Sequence, residues 1–286
     1  MAKKSINREF KDRLFKYIFG NEKHKNLTLS LYNAINNTHY DRIDDIEITT
    51  IENAVYMGMR NDISFIIAES MNLYEQQSTY NPNMPLRMLI YAGQLYDKYL
   101  YTSGKNEEIF DDDIVPIPYP KLIAFYNGDR YQPNKKVLML SQAFKSGVKG
   151  DIQVRVTMYN VNYGRNKKLL SSCTPLSEYS LFTTTVRKLT KQDYSIEEAV
   201  EIAFKALPED SEVRKLIEEN KAGVAKMILF EYNEEAHLKS RERKVEERTR
   251  AEERLNFAKA LLKDNVPFEK ISEYTSLSIE ELRKLK

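Results

Sequence analysis

The sequence predicts a mixed α/β protein, a sheet flanked by helices, on three observations. Residues 60–67 and 71–79 are adjoining stretches rich in β-branched, aromatic and aliphatic residues, with only Ala68, Glu69 and Ser70 between them, the pattern of a β-hairpin. Leu86 to Leu100 has helical periodicity and lies between the hairpin and the next apolar run, where a crossover helix belongs. From Leu176 onward the pattern is again helical.

Taken in order, Phe10, Leu14, Phe15, Ile18 and Phe19 recur at helical spacing, and Gly20-Asn21 makes a stop. A second amphipathic helix covers roughly Lys25 to Ile35. Ile46 to Ile51 and Ala54 to Met57 have strand-like composition and lead into the hairpin. The breaker cluster Asn81-Pro-Asn-Met-Pro85 precedes the crossover helix. Leu122-Ile-Ala-Phe-Tyr126, ended by Asn127-Gly128, suits a buried strand and a turn, and Asp151 to Val161 alternates as another strand. Ser195-Ile-Glu-Glu198 is a capping box opening a further helix. Lys239 to Arg254 carries seven basic and five acidic residues and reads as a solvated linking helix. Leu255 to Lys286 has helical pieces broken at Asn265-Val-Pro267 and near Ser276-Leu-Ser278. Their spacing is that of a helix-turn-helix or a small interaction module, a route to homo-oligomers. The expected division is a large domain over residues 1–235 and an extension over 236–286.

Within the hairpin, a turn centred on Ala68-Glu69 places Asp62 opposite Glu75, and a centre one residue later pairs Asp62 with Gln77. Either register puts Asp62, Glu75 and Gln77 on one face, because side chains alternate with period two. Facing carboxylates repel unless a cation or a proton lies between them. Such a pair offers hard oxygen ligands to Mg²⁺, and the Gln76 carbonyl can add another. Gln77 can point its amide at water or a phosphate oxygen, but it is neither a strong base nor a cation. The bland alternative is a hairpin with a polar solvent face. On the crossover helix, Arg87, Tyr91 and Gln94 lie at i, i+4 and i+7. Arg87 would either clamp a phosphate or form a salt bridge, and Tyr91 would either stack or sit half-buried.

The 44 basic and 42 acidic residues give a formal charge of +2, which neither demands nor excludes nucleic acid. Residues 1–25 are locally basic, eight positions against three, as phosphate attraction or a solvated basic helix face would require. A single cysteine, Cys173, excludes a disulfide framework and a thiolate zinc cluster and fits a reducing cytoplasm. The three histidines, His24, His39 and His237, have no ligand-like spacing, which argues against histidine-based hydrolases. The N-terminus lacks the apolar core of a signal peptide, and no run of about 18 apolar residues appears, so a soluble cytoplasmic protein without membrane contact is expected.

Four segments carry a family resemblance: residues 12–20 (Asp-Arg-Leu-Phe-Lys-Tyr-Ile-Phe-Gly), 60–65 (Arg-Asn-Asp-Ile-Ser-Phe), the sixteen-residue block from Asn72 to Arg87, and 125–128 (Phe-Tyr-Asn-Gly). Together they resemble the Rpn recombination-promoting nucleases, also called YhgA-like transposases, of the PD-(D/E)XK nuclease superfamily, over residues 10 to 235. That resemblance implies a restriction-endonuclease-like α/β core and a Mg²⁺-dependent DNA endonuclease, with Mn²⁺ able to substitute, linked to recombination or mobile elements. Carried over by position, Asp62 is the metal-binding aspartate, and Glu75 and Gln77 form an E-x-Q signature. Asp12 matches an acidic position that relatives bring beside the hairpin, or is a helix N-terminal charge stabilised by the dipole. The chain departs from the superfamily pattern at Asn61, where a proline would stand, and at Gln77, where a lysine would. The alternative expectation is a catalytically silent DNA-binding or assembly protein that keeps the fold.

Overall fold

The computed structural model describes residues 10–50, 62–145 and 150–220, together with 223–224, 256–258, 261–262, 267–275, 277 and 282. The chain divides into two compact units, Met1–Leu229 and Phe230–Lys286. In the first, a six-stranded sheet runs β1 (Glu47–Ile48), β2 (Ile63–Ile67), β3 (Ser70–Gln77), β4 (Tyr119–Tyr126), β5 (Lys135–Met139) and β6 (Arg155–Asn160), in spatial order β1-β2-β3-β4-β6-β5. β2 and β3 are an antiparallel hairpin, β3, β4 and β6 are mutually parallel neighbours, and β5 closes the far edge antiparallel to β6. The α/β architecture with a helix-flanked mixed sheet is therefore as the periodicities predict.

The parallel step from β3 to β4 needs a crossover, and α3 (Met84–Thr102) supplies it. Pro85 lies in its first turn, where a missing N–H costs nothing, so the breaker cluster 81–85 opens this helix. One face of the sheet is covered by α1 (Phe10–Phe19), α2 (Lys25–Asn36), α4 (Lys167–Ser172) and α5 (Thr174–Lys191). Their apolar faces meet Ile63, Phe65, Ile67, Tyr74, Ile123 and Phe125. Phe15 is the hub, with ring centroids 4.9 Å from Phe19, 5.1 Å from Phe125 and 5.5 Å from Tyr179. Such tilted and edge-on pairs add about 0.5–1.5 kcal/mol each beyond their buried area. On the opposite face α3 sets Met84, Met88, Tyr91 and Leu95 against Met71, Leu73, Ala124, Tyr126, Val156 and Met158. With both faces covered, β3 is buried along its whole length.

α6 (Ile196–Lys205) begins at the predicted capping box, with Ser195 Oγ accepting from the Glu198 N–H and Glu198 accepting from the Ser195 N–H. α7 (Glu212–Glu219) follows, capped by Ser211. In the second unit, α8 (Phe268–Thr275) is described, and Ala258, Ile271 and Leu282 form a small apolar core. The linking helix expected over 239–254 lies outside the described residues, as do the stretch 54–57, Asn61 and the three basic positions before Phe10. No helix among the described residues is long and apolar enough to cross a membrane.

Two strands depart from the sequence pattern. β1 is two residues long where six were expected: beyond Ile48 one backbone bond remains, from the Thr49 N–H to the Ser64 carbonyl at 2.8 Å, and the Ser64 N–H then donates to the side-chain Oγ1 of Thr50 at 3.1 Å. β5 was not anticipated. It is an edge strand opened by Lys135 and Lys136 in which only Leu138 is fully buried, so its alternation is weak.

Candidate active site

The β2–β3 register places Ile63 opposite Tyr74 and Ile67 opposite Ser70, which selects the turn centred on Ala68-Glu69. Ala68 takes a left-handed φ of 51° there. One step beyond the ladder, Asp62 lies beside Glu75, and two crossed hydrogen bonds fix the pair. The Asp62 N–H donates to Glu75 Oε1 at 2.9 Å, and the Gln76 N–H donates to Asp62 Oδ2 at 2.7 Å. Neither carboxylate is left to choose its own rotamer.

Glu75 is only 2% exposed and Asp62 is half-buried. Loss of water raises the Asp62 carboxyl to about 7, against the opposing pull of the Gln76 N–H and the charges of Arg87 and Lys16. Burial first, and then repulsion from Asp62, push Glu75 well above the ordinary carboxylate range, with Arg87 opposing. Burial thus favours the protonated form of both carboxyls, and the charge of Arg87 opposes it. Arg87 Nη2 sits 3.3 Å from Glu75 Oε2 and donates to the Tyr91 hydroxyl at 2.9 Å. Of the two readings of these α3 residues, the salt bridge is the one present, and Tyr91, 1% exposed, has no free ring face for a base.

Gln77 follows Glu75 on the same face of β3. It is 4% exposed, and both amide atoms, Nε2 and Oε1, are buried without a hydrogen-bond partner among the described residues. A buried unpaired amide costs about 1–3 kcal/mol, and this one lies on the face of β3 that carries Glu75. Gln94 Oε1, two turns beyond Arg87 on α3, is also buried and unpartnered. Gln76 points to the opposite face, where its Nε2 donates to Asn127 Oδ1 at 2.6 Å.

Asp12 is on α1 and accepts from Ser78 Oγ at 3.3 Å, beyond the end of β3. Its charge contributes to raising Glu75, but no three His, Cys, Asp or Glu side chains among the described residues are spaced to hold one metal ion together. The two ligands the geometry offers a hard cation are Asp62 and Glu75. Sequence reasoning missed Lys16, whose charge acts on Asp62 from α1. Its only signal was its place one helical turn after Asp12. No protein-family model, curated protein or solved structure matches the chain, so the reading of the site rests on its own geometry.

Proposed function

We propose that the first unit is a metal-dependent phosphodiesterase with a restriction-endonuclease-like core, acting on DNA as an endonuclease in recombination or mobile-element processing. One observation carries the reading. Asp62 and Glu75 are locked side by side by crossed backbone hydrogen bonds, desolvated, and followed on the same face by the unpartnered Gln77 amide. A hard cation and a phosphate would use each part of that arrangement. The resemblance of the Asn72–Arg87 block to the Rpn nucleases agrees with it and implies DNA as the substrate; an RNA or nucleotide hydrolase on the same core differs only in substrate.

Bound Mg²⁺ would supply an acidified water and neutralise phosphate charge. The chain's own residues do the rest. Asp62 and Glu75 hold their oxygens fixed through the Gln76 and Asp62 N–H groups. The Gln77 amide donates to an attacking water or a phosphate oxygen and accepts from the water. Arg87, held by the Tyr91 hydroxyl, is the cation paired with Glu75 among the described residues and turns to the phosphate once Glu75 no longer needs its charge. Closure of α3 over this face limits bulk water, which strengthens each of these contacts.

A plasmid-nicking assay with Mg²⁺ and Mn²⁺, run on wild type and Asp62→Ala together, tests the reading. Nicking by wild type and its loss in the variant, with an unchanged far-UV spectrum, is the expected result. Retained nicking in Asp62→Ala removes Asp62 from the mechanism. No cleavage of supercoiled, linear or single-stranded DNA, together with salt-dependent binding, would establish the silent DNA-binding alternative instead.

A further inference from the structure

The C-terminal ends of β3, β4 and β6 meet a second polar cluster that the carboxylate pair does not use, on the face covered by α1 and α5. Lys11 is 6% exposed, and its single hydrogen bond among the described residues runs 3.1 Å to the Asn127 carbonyl. Arg187 donates Nη1 to that same oxygen at 2.7 Å and Nη2 to Asn162 Oδ1 at 2.8 Å. Lys191, one turn further along α5, reaches Asp129 Oδ1 at 3.1 Å, and Arg187 Nη1 lies 3.4 Å from the same atom.

Three cations thus share one carbonyl oxygen and one carboxylate. A carbonyl offers only a partial charge, and the Asp129 side chain is 62% exposed, so the burial of Lys11 is poorly compensated. Its ammonium is pulled down to about 8, by burial first and then by the Arg187 charge, with Asp129 and Asp12 opposing. Among the described residues, two of its three N–H donors are without an acceptor. The ends of parallel strands are where open α/β sheets bind ligands.

We propose that Lys11, Arg187 and Lys191 form a subsite for a backbone phosphodiester of a nucleic-acid strand, in which the Asp129 carboxylate is an internal stand-in for the phosphate. This deepens the hydrolase reading and rests on it for the identity of the ligand. The subsite is wired to the carboxylate pair: Gln76 donates its backbone N–H to Asp62 and its side-chain amide to Asn127, whose carbonyl carries Lys11 and Arg187. Two strand spacings, about 10 Å, separate the ends of the wire. One phosphate cannot span that distance, so the subsite holds a neighbour of the phosphate at Asp62 and Glu75.

The test uses the full chain, a short fluorescein-labelled DNA duplex and anisotropy over a salt series in EDTA, where no cleavage occurs. Lys191→Gln should weaken binding about 3–10-fold at low salt and flatten the slope of log K against log salt by about 0.9. Asp129→Asn should strengthen binding by a similar factor, because it removes the competing anion. Both positions are exposed, and matching melting curves confirm intact folds. Titration with inorganic phosphate should give heats for Asp129→Asn that Lys191→Gln lacks. Unchanged binding in both variants, or weakening by both, overturns the subsite, as does the absence of binding to either probe. Phosphate binding without duplex binding overturns the assignment to a strand. The two readings separate in the nicking assay: opposite shifts without nicking keep the subsite and remove the hydrolase, and nicking with unshifted binding does the reverse.

Discussion

Replacing Asp62 with Asn should make the metal-free protein more stable at neutral and alkaline pH while abolishing its stabilisation by Mg²⁺. The asparagine Oδ1 can still accept from the Gln76 N–H, so the backbone clasp survives and only the charge is lost. In the folded state the Asp62 carboxyl is raised from 3.8 to about 7, chiefly by burial. Below the unfolded value both states hold the proton. Between about 4 and 7 the unfolded chain releases it while the folded chain keeps it, so stability falls as pH rises. Above about 7 the folded carboxyl ionises too, and the loss levels off. At 1.36 kcal/mol per unit the ceiling is about 4 kcal/mol, and roughly half survives in an effective dielectric typical of half-buried sites. About 2 kcal/mol corresponds to some 4–8 °C in Tm for a unit of this size. The assay is thermal unfolding from pH 5 to 8.5, in EDTA and in Mg²⁺, of wild type and Asp62→Asn. Wild type should lose stability with pH in EDTA and regain it with Mg²⁺ at saturation, by about 2–3 kcal/mol at a hundred times Kd. The variant should be flatter and indifferent to Mg²⁺. A variant with the same pH slope and the same Mg²⁺ response as wild type refutes the reasoning.

Gln77→Met should raise urea stability by about 1–2 kcal/mol by removing two unpaired buried atoms, and should lower the nicking rate in the same preparation. Gln76→Met should do the opposite to stability, costing about 1–3 kcal/mol, because it orphans Asn127 Oδ1. Ala68→Gly relieves a left-handed φ of 51° in the hairpin turn and should stabilise by about 0.5–1 kcal/mol in denaturant unfolding, with nicking unchanged. Phe125→Ala opens the aromatic core beneath β4 and should cost about 3–5 kcal/mol by the same measurement.

The hairpin and its turn were legible because period-two composition and a three-residue gap leave few registers, and the parity of Asp62, Glu75 and Gln77 follows from any of them. The choice between pairing with Glu75 and with Gln77 was not legible, since it depends on Ala68 accepting a conformation that glycine would ordinarily mark. Helices α1, α2 and α3 announced themselves by apolar periodicity. β5 did not, because an edge strand needs few apolar residues. Of the cations, Arg87 could be found from its helical spacing, while Lys11, Lys16 and Arg187 could not. Lys11 and Arg187 are drawn to their places by distant chain segments: Lys11 by the carbonyl of residue 127, and Arg187 by residues 127, 129 and 162.

The most telling contrast lies within one strand. Glu75, Gln76 and Gln77 are consecutive, equally buried, and central in a sheet covered on both faces. If polar residues there served packing alone, both glutamines would be satisfied, since each unpaired amide weakens the fold. Gln76, turned toward α1 and α5, donates to Asn127 and accepts from Ser78 Oγ at 3.4 Å. Gln77, turned toward α3 with Glu75, bonds to neither donor nor acceptor among the described residues. The same residue type, one position apart, is thus structural on one face and unfinished on the other. The unfinished face is the one carrying two desolvated carboxylates with Arg87 beside one of them, so the unpaired amide lies where negative charge is concentrated. The α1 face has its own imbalance, of positive sign, at Lys11 and Arg187. A ligand whose charges alternate between bound cation and phosphate answers both, and β3 is the strand that joins them.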